Sequence, residues 1–294
     1  MEYTFRIQKA IDYIEEHLTE DLSAELVARH ADLSSWHFQR IFSATVGQTL
    51  KDYIRKRRLS CALLELGSTR KRILDIAIDY QFESQESFSR AFKAMFRMTP
   101  GECRRNGIAS IVSLSKVRIT DEYLIHLYGG LTMQPEFTTV AEKKVVGLGA
   151  PFISILSPDR NNFIVIPKLW DDFVRRYDEI PGRVGTASLG LIYCEPNRPG
   201  VHPNQCFYLA CAEVSGTDDV PTGMMSRTLP SGRYAKFTHR GKLDRFEHTM
   251  NYIYGSWLAR SGEELRDAPE IEVYDERFVP DSDESELDIY IPIR

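Results

Sequence analysis

Hydrophobic positions in the first third of the chain recur at helical spacing. Phe5, Ile7, Ile11, Ile14 and Leu18 fall at three- and four-residue steps and predict an amphipathic helix over residues 4–18. Thr19 to Ser23 breaks that pattern, and Ser23 can cap a short helix over 24–30. Leu33-Ser34 turns the chain into a helix over 35–45 that Gly47 ends. A longer helix is expected over 49–66, carrying Leu50, Tyr53, Ile54, Arg57, Cys61 and Leu64, with the basic run 55–58 along its exposed side. From Phe137 onward the pattern becomes alternating and β-branched. Strands are expected at 140–152, 187–194, 206–214, 226–239, 271–278 and 287–293, with helices at 164–177 and 243–258. Residues 196–204 read as a turn region, and 108–134 as a connector.

Both halves repeat internally. Phe38-Gln39-Arg40-Ile41-Phe42 matches Phe88-Ser89-Arg90-Ala91-Phe92 at an offset of 50, and Val27-Ala28 matches Ile76-Ala77 at 49. Each copy reads as helix, tight turn, helix. The alanines permit close approach, and the paired phenylalanines fix the second helix on the core. Its outward positions are then Ser35, Trp36, Gln39 and Arg40 in the first copy, and Ser84, Gln85, Glu86, Ser87 and Arg90 in the second. Arginine forks suit guanine, glutamine suits adenine, and hydroxyls suit phosphates or bases. The bland alternative is a polar surface on a helical bundle; the recurrence of the same positions argues against it. In the second half, Leu169-Trp170 and Phe173-Val174 match Ile253-Tyr254 and Trp257-Leu258 at 84, and Tyr193-x-Glu195 matches Tyr274-x-Glu276 at 81. This is a duplicated β-α-β-β unit, expected to form one sheet with both helices on one face.

Composition adds a division of charge. The 294 residues carry a net charge of −5. Residues 1–107 hold 17 Lys+Arg against 15 Asp+Glu; residues 108–294 hold 20 against 27. The basic run Arg55–Arg58 places Arg55 and Arg57 as expected phosphate contacts. Five scattered cysteines without a CxxC, and a start without a basic-then-apolar leader, lead us to expect a reducing cytoplasm with neither disulfide framework nor metal site. No apolar run reaches the length of a membrane span.

Residues 5–107 closely resemble the AraC/XylS DNA-binding domain. The carriers are Leu22-Ser23 through Ala28, Trp36 through Phe42, Tyr53-Ile54-Arg55 with Arg57, Ile76-Ala77, Ser84-Gln85 through Lys93, Phe96 and Thr99-Pro100. Gln81 departs from the glycine usual in that turn. The resemblance implies seven helices and two recognition helices in successive major-groove segments of one DNA face. Residues 135–294 resemble the GyrI-like effector-binding domain through Leu229 to Ala235, the helix with Trp257, Glu272-Val273-Tyr274-Asp275 and Glu286 to Pro292. That resemblance implies a lipophilic, often cationic, ligand over a buried carboxylate and aromatic rings.

The fold expected is therefore two domains, an all-α double helix-turn-helix domain over 1–107 and an α+β duplicated β-α-β-β domain over 135–294. Candidate ligand residues are Glu286 and Tyr290, sharing one face of the last strand, with Trp170, Tyr193, Tyr208 and Tyr274 as walls. The function expected is a ligand-responsive transcription regulator without a cofactor, whose partners are double-stranded promoter DNA, a small-molecule effector and RNA polymerase. Two alternatives stay open: a small-molecule hydrolase with Glu286 as general base, and a module binding gyrase or another protein.

Overall fold

The computed structural model describes residues 2–106, 114–120, 123–124, 133–154, 160–193 and 205–294. The chain divides into two compact units, Met1–Leu127 and Tyr128–Arg294. The turn expected over 196–204, together with Cys194, lies outside the described residues.

The first unit contains helices α1 (Glu2–Glu16), α2 (Ala24–His30), α3 (Ser35–Val46), α4 (Leu50–Ser68), α5 (Ile73–Asp79), α6 (Gln85–Phe96) and α7 (Pro100–Asn106). Side-chain oxygens cap five of them, Thr99 Oγ1 accepting from Glu102 N at the start of α7. Ser23 Oγ accepts from Leu26 N, Ser34 Oγ from His37 N and Thr49 Oγ1 from Asp52 N, while Ser84 and Ser87 form a reciprocal capping box. Each cap satisfies an amide that has no partner within its helix.

The repeat seen in the sequence extends to the backbone. Asp32 and Gln81 both adopt left-handed φ, +54° and +61°, and so do Gly47 and Arg97, +74° and +61°. In each copy the residue after the turn returns to the helix alanine: Leu33 N to Ala28 O at 3.1 Å, and Phe82 N to Ala77 O at 2.9 Å. Gln81 tolerates the conformation that glycine would take freely, and its Nε2 donates to Thr19 C=O at 2.6 Å. Phe38 and Phe42, like Phe88 and Phe92, are fully buried, with ring centroids 5.4 and 5.5 Å apart.

Part of the stretch expected to be a connector is tied to this helical unit. Ile119 N donates to Gln8 Oε1 at 2.9 Å, Leu114 N to Ser60 Oγ at 3.1 Å, and Tyr123 Oη to Val46 C=O at 3.3 Å. Leu124 is fully buried.

The second unit is one eight-stranded antiparallel sheet. Its strands are β1 (Glu136–Val140), β2 (Lys143–Ile153), β3 (Arg183–Tyr193), β4 (Gln205–Val214), β5 (Met225–Leu229), β6 (Gly232–Arg240), β7 (Glu270–Tyr274) and β8 (Glu286–Pro292), in the order β1-β6-β8-β7-β3-β4-β2-β5. The order is two-fold about the β7–β3 pair, as the duplication requires. The stretch 226–239, expected as one strand, is two, because Pro230 cannot donate to a ladder. β1 and β5 are exchanged, so that each pairs with the other copy's strand.

The exchange forces the sheet to curl. Only two residues separate β1 from β2, so their facing ends lie within about 11 Å. In a flat sheet, six strand spacings would hold them about 29 Å apart. One face therefore turns inward and packs on itself through Val145, Leu189, Leu191, Leu209, Leu229, Tyr234 and Ile271. Inward-facing Gly149 leaves room for the Phe207 ring, which a Cβ would overlap.

The other face carries both helical layers. α8 (Asn162–Arg175) covers β2 and β4. On the second copy, α9 (Phe246–Tyr252) passes through a π-helical turn (Ile253–Trp257) into α10 (Leu258–Ser261), with Trp257 against Phe237.

Candidate DNA-reading face and ligand site

The two candidate reading helices differ in exposure. On α6, Gln85, Glu86 and Arg90 are exposed, and Ser84 and Ser87 are spent on the capping box. On α3, the outward placement expected of Ser35, Trp36 and Gln39 is corrected: they are only 7%, 7% and 9% exposed. Gln39 Nε2 donates to Ser35 Oγ at 3.3 Å, and the Arg40 guanidinium lies 5.4 Å from the centroid of the Trp36 ring. Arg40 keeps partial exposure.

The basic run divides in the same way. Arg55 is exposed. Arg57, expected at phosphate, is instead a rivet between α4 and α1. Its Nε and Nη2 donate to the two Glu15 oxygens at 2.7 and 2.8 Å, and Tyr53 Oη adds a bond to Oε1 at 2.8 Å. Arg57 Nη1 also reaches Leu114 C=O. Arg58 is likewise engaged, with Leu18 C=O at 2.8 Å and Glu20 C=O at 2.6 Å. The run is expected along one exposed side of the helix, but positions 57 and 58 face α1 and its following turn.

The curled sheet separates the expected ligand residues into two groups. Trp170, Tyr208 and Tyr274 come together on the helix-covered face around a carboxylate outside the expected set, Glu272. Tyr208 Oη donates to Glu272 Oε2 at 2.5 Å, Tyr274 Oη donates to the same oxygen at 2.9 Å, and Trp170 Nε1 donates to Tyr208 Oη at 3.0 Å. The Trp170 and Tyr274 rings are 4.4 Å apart. Register explains the meeting. Gly190 of β3 pairs with Glu272 on one side and Ala210 on the other, and Tyr208 crosses over it. A Cβ at position 190 would overlap the Tyr208 hydroxyl. Burial and the adjoining carboxylate push both phenols well above their ordinary pKa, so they stay protonated as donors. One residue pair away on the same face, Tyr254 Oη donates to Glu270 Oε1 at 2.6 Å.

Tyr193, Tyr290 and Glu286 lie on the inner face instead. The Tyr193 hydroxyl is buried without a partner among the described residues, and burial pushes it up to about 12. Glu286 does share a face with Tyr290, but it is held by Arg240 Nε at 3.0 Å and Arg277 Nη1 at 3.3 Å. Arg277 also binds Asp275 and Asp288, each at 2.6 Å through Nη2. Glu286 is thereby a member of an ion network with Arg240, Arg277, Asp275 and Asp288. The signal for Glu272 was in the sequence: Glu270, Glu272 and Tyr274 alternate on one face of a strand flanked by buried positions.

Among the described residues no group of His, Cys, Asp or Glu side chains could hold a metal ion, and no helix is long and apolar enough to cross a membrane.

Comparison with known proteins fits both halves. A family model for a GyrI-like small molecule binding domain matches residues 133–294, and a helix-turn-helix domain model matches residues 27–106. The chain is 28% identical to the transcriptional regulator Rob of Salmonella typhimurium over 98% of this chain and 95% of that protein. It is 27% identical to the right origin-binding protein of Escherichia coli, over 91% and 89%. The regulatory protein SoxS of Escherichia coli is 44% identical over 33% of this chain and 92% of its own. The chain belongs to the family of GyrI-like small molecule binding domains, here preceded by an AraC-type helix-turn-helix domain.

Proposed function

We propose that this protein is a transcription regulator that binds double-stranded promoter DNA through its helical unit and senses a small lipophilic cation in its sheet domain, acting on RNA polymerase at the promoter it occupies. Two similar helix-turn-helix copies joined by α4 support the first part. Its 19 residues span about 28 Å, close to the ~34 Å repeat between major-groove segments on one DNA face. The reading residues are Arg40, Gln85, Glu86 and Arg90, with Arg55 at phosphate. Ser84 and Ser87 order α6, and Ser35, Trp36 and Gln39 shape the seat of Arg40. Arg90→Ala should lose 1–3 kcal/mol on a specific site if it reads a base, and leave random DNA nearly unaffected (about that range for one bidentate contact).

The observation that carries the ligand reading is the buried Glu272 carboxylate under Trp170, accepting from two tyrosine hydroxyls. A buried carboxylate favours a cation that replaces lost solvation, and the surrounding rings offer π faces to the same charge. Trp170, Tyr208 and Tyr274 form the wall. The test is calorimetry with tetraphenylphosphonium and its uncharged isostere tetraphenylmethane. Glu272→Gln keeps the shape and removes the charge, so it should weaken the cation at least tenfold and the neutral compound less than twofold. Equal losses for both overturn the assignment.

A further inference from the structure

The inner face of the curled sheet encloses a cavity of about 370 Å³, on the opposite side of the sheet from Glu272. That volume falls in the range of small-molecule sites. Its walls are Val140, Leu189, Leu229, Ile271, Val273 and the Tyr290 ring. Its lining also holds three carboxylates, Glu213, Asp275 and Glu276, against one ammonium, Lys143. Lys143 is paired with Glu213, and Asp275 takes the Arg277 guanidinium at 2.6 Å, while Glu276 stands exposed at the edge.

A second feature opens this cavity to solvent. β3 leaves its ladder with β4 between Arg183 and Ser188, where four residues, 184–187, oppose the single residue Glu213. The bulge carries Gly185 at φ +73°, and it holds Val184, Gly185 and Thr186 exposed, all three lining the cavity. Val184 is 46% exposed, an apolar side chain held at a mouth rather than folded into the core. Bulges recur at barrel rims beside binding sites, where they end the pairing and redirect side chains.

We propose that this cavity is a second ligand site, which takes an amphiphile with a single alkyl chain and an ammonium head: the chain lies among Val140, Leu189, Leu229 and Ile271, and the ammonium sits at the acidic mouth beside Glu276. The site is independent of the Glu272 site, because the sheet itself stands between them.

The test is calorimetric titration of the full-length protein with n-octylammonium, n-hexylammonium and n-octanol. The proposal expects octylammonium to bind more tightly than hexylammonium by about fourfold per methylene, the factor set by ~0.8 kcal/mol per buried CH₂. Glu276→Gln should weaken octylammonium about threefold or more and leave octanol unchanged. Val184→Trp plugs the mouth from an exposed position and should reduce octylammonium binding at least tenfold; Thr186→Trp does the same from the neighbouring position, should the first variant misfold. Glu272→Gln should leave octylammonium binding unchanged while abolishing preference for tetraphenylphosphonium, which separates failure of one site from failure of the other. The proposal is overturned if both tryptophan variants bind octylammonium like the parent, if chain length has no effect, or if Glu272→Gln removes octylammonium binding.

Discussion

Replacing Arg57 with methionine separates a structural arginine from a DNA-binding one. Arg57 makes two charge-assisted bonds to Glu15, at 2.7 and 2.8 Å, with both side chains only 12% exposed. Methionine fills much of the aliphatic stem and removes the charge. Glu15 is then left almost buried with the Tyr53 hydroxyl as its remaining bond of this cluster. Removing one partner of a buried pair costs about 3–5 kcal/mol, and the residual solvent contact places this one near the lower end, about 3 kcal/mol. Urea unfolding followed by far-UV circular dichroism reads that loss in the helical unit. Gel-shift titration on specific DNA, below the new unfolding transition, reads the affinity. We expect a large fall in midpoint with a salt dependence of DNA binding like the parent's. The exposed Arg55→Met is the contrasting case: stability within about 0.5 kcal/mol of the parent, and a salt slope reduced by about 1. If Arg57→Met unfolds at the parent's midpoint and its salt slope drops by about 1, Arg57 binds phosphate and the rivet is incidental.

A fragment ending at residue 127 should be more stable than one ending at 106 by about 3 kcal/mol, since the longer one buries Leu124 and most of Ile119; thermal melts compare them. Gly190→Ala should destabilise the sheet domain by about 1–3 kcal/mol through overpacking on Tyr208, and should abolish tetraphenylphosphonium binding by pushing that hydroxyl off Glu272. Arg97→Gly should stabilise the helical unit by about 1 kcal/mol, because Arg97 caps α6 with a left-handed φ that glycine adopts without strain. His239 is buried, with ring nitrogens against Thr249 Oγ1 and Lys242 C=O, and burial lowers its pKa below the ordinary value. The unfolded chain then binds the proton more readily, so the sheet domain should lose stability as pH falls below about 6.5, a dependence that His239→Gln removes in melts at pH 5 and 7.5.

Local rules on the chain decided much of this protein. Three- and four-residue spacing, serine and threonine caps and paired phenylalanines specify two similar helix-turn-helix copies, because each depends on neighbours within one or two turns. The β-α-β-β duplication was legible for the same reason, and with it the placement of both helices on one face. Even Gln81 and Arg97, which lack the glycine their turns invite, adopt the left-handed turn of the equivalent position in the other copy.

Tertiary structure decided which side of each element meets a partner. Period and composition treat Arg55 and Arg57 alike; α1, some 40 residues earlier, takes one of them and leaves the other to solvent. Glu272 and Glu286 are both acidic residues alternating with apolar ones in strands. Pairing of β7 with β3 puts Glu272 opposite Gly190 and within reach of Tyr208, while pairing of β8 with β6 hands Glu286 to Arg240. The β7–β8 register sets Tyr290 beside Ile271 and so on the face opposite Tyr274; the curl that turns the Tyr290 face inward follows from the exchange of β1 and β5, which pair with strands that the sequence places about 90 residues away. Alternation says that a strand has two faces. Which face turns inward depends on how the sheet closes, and closure is a property of all eight strands together.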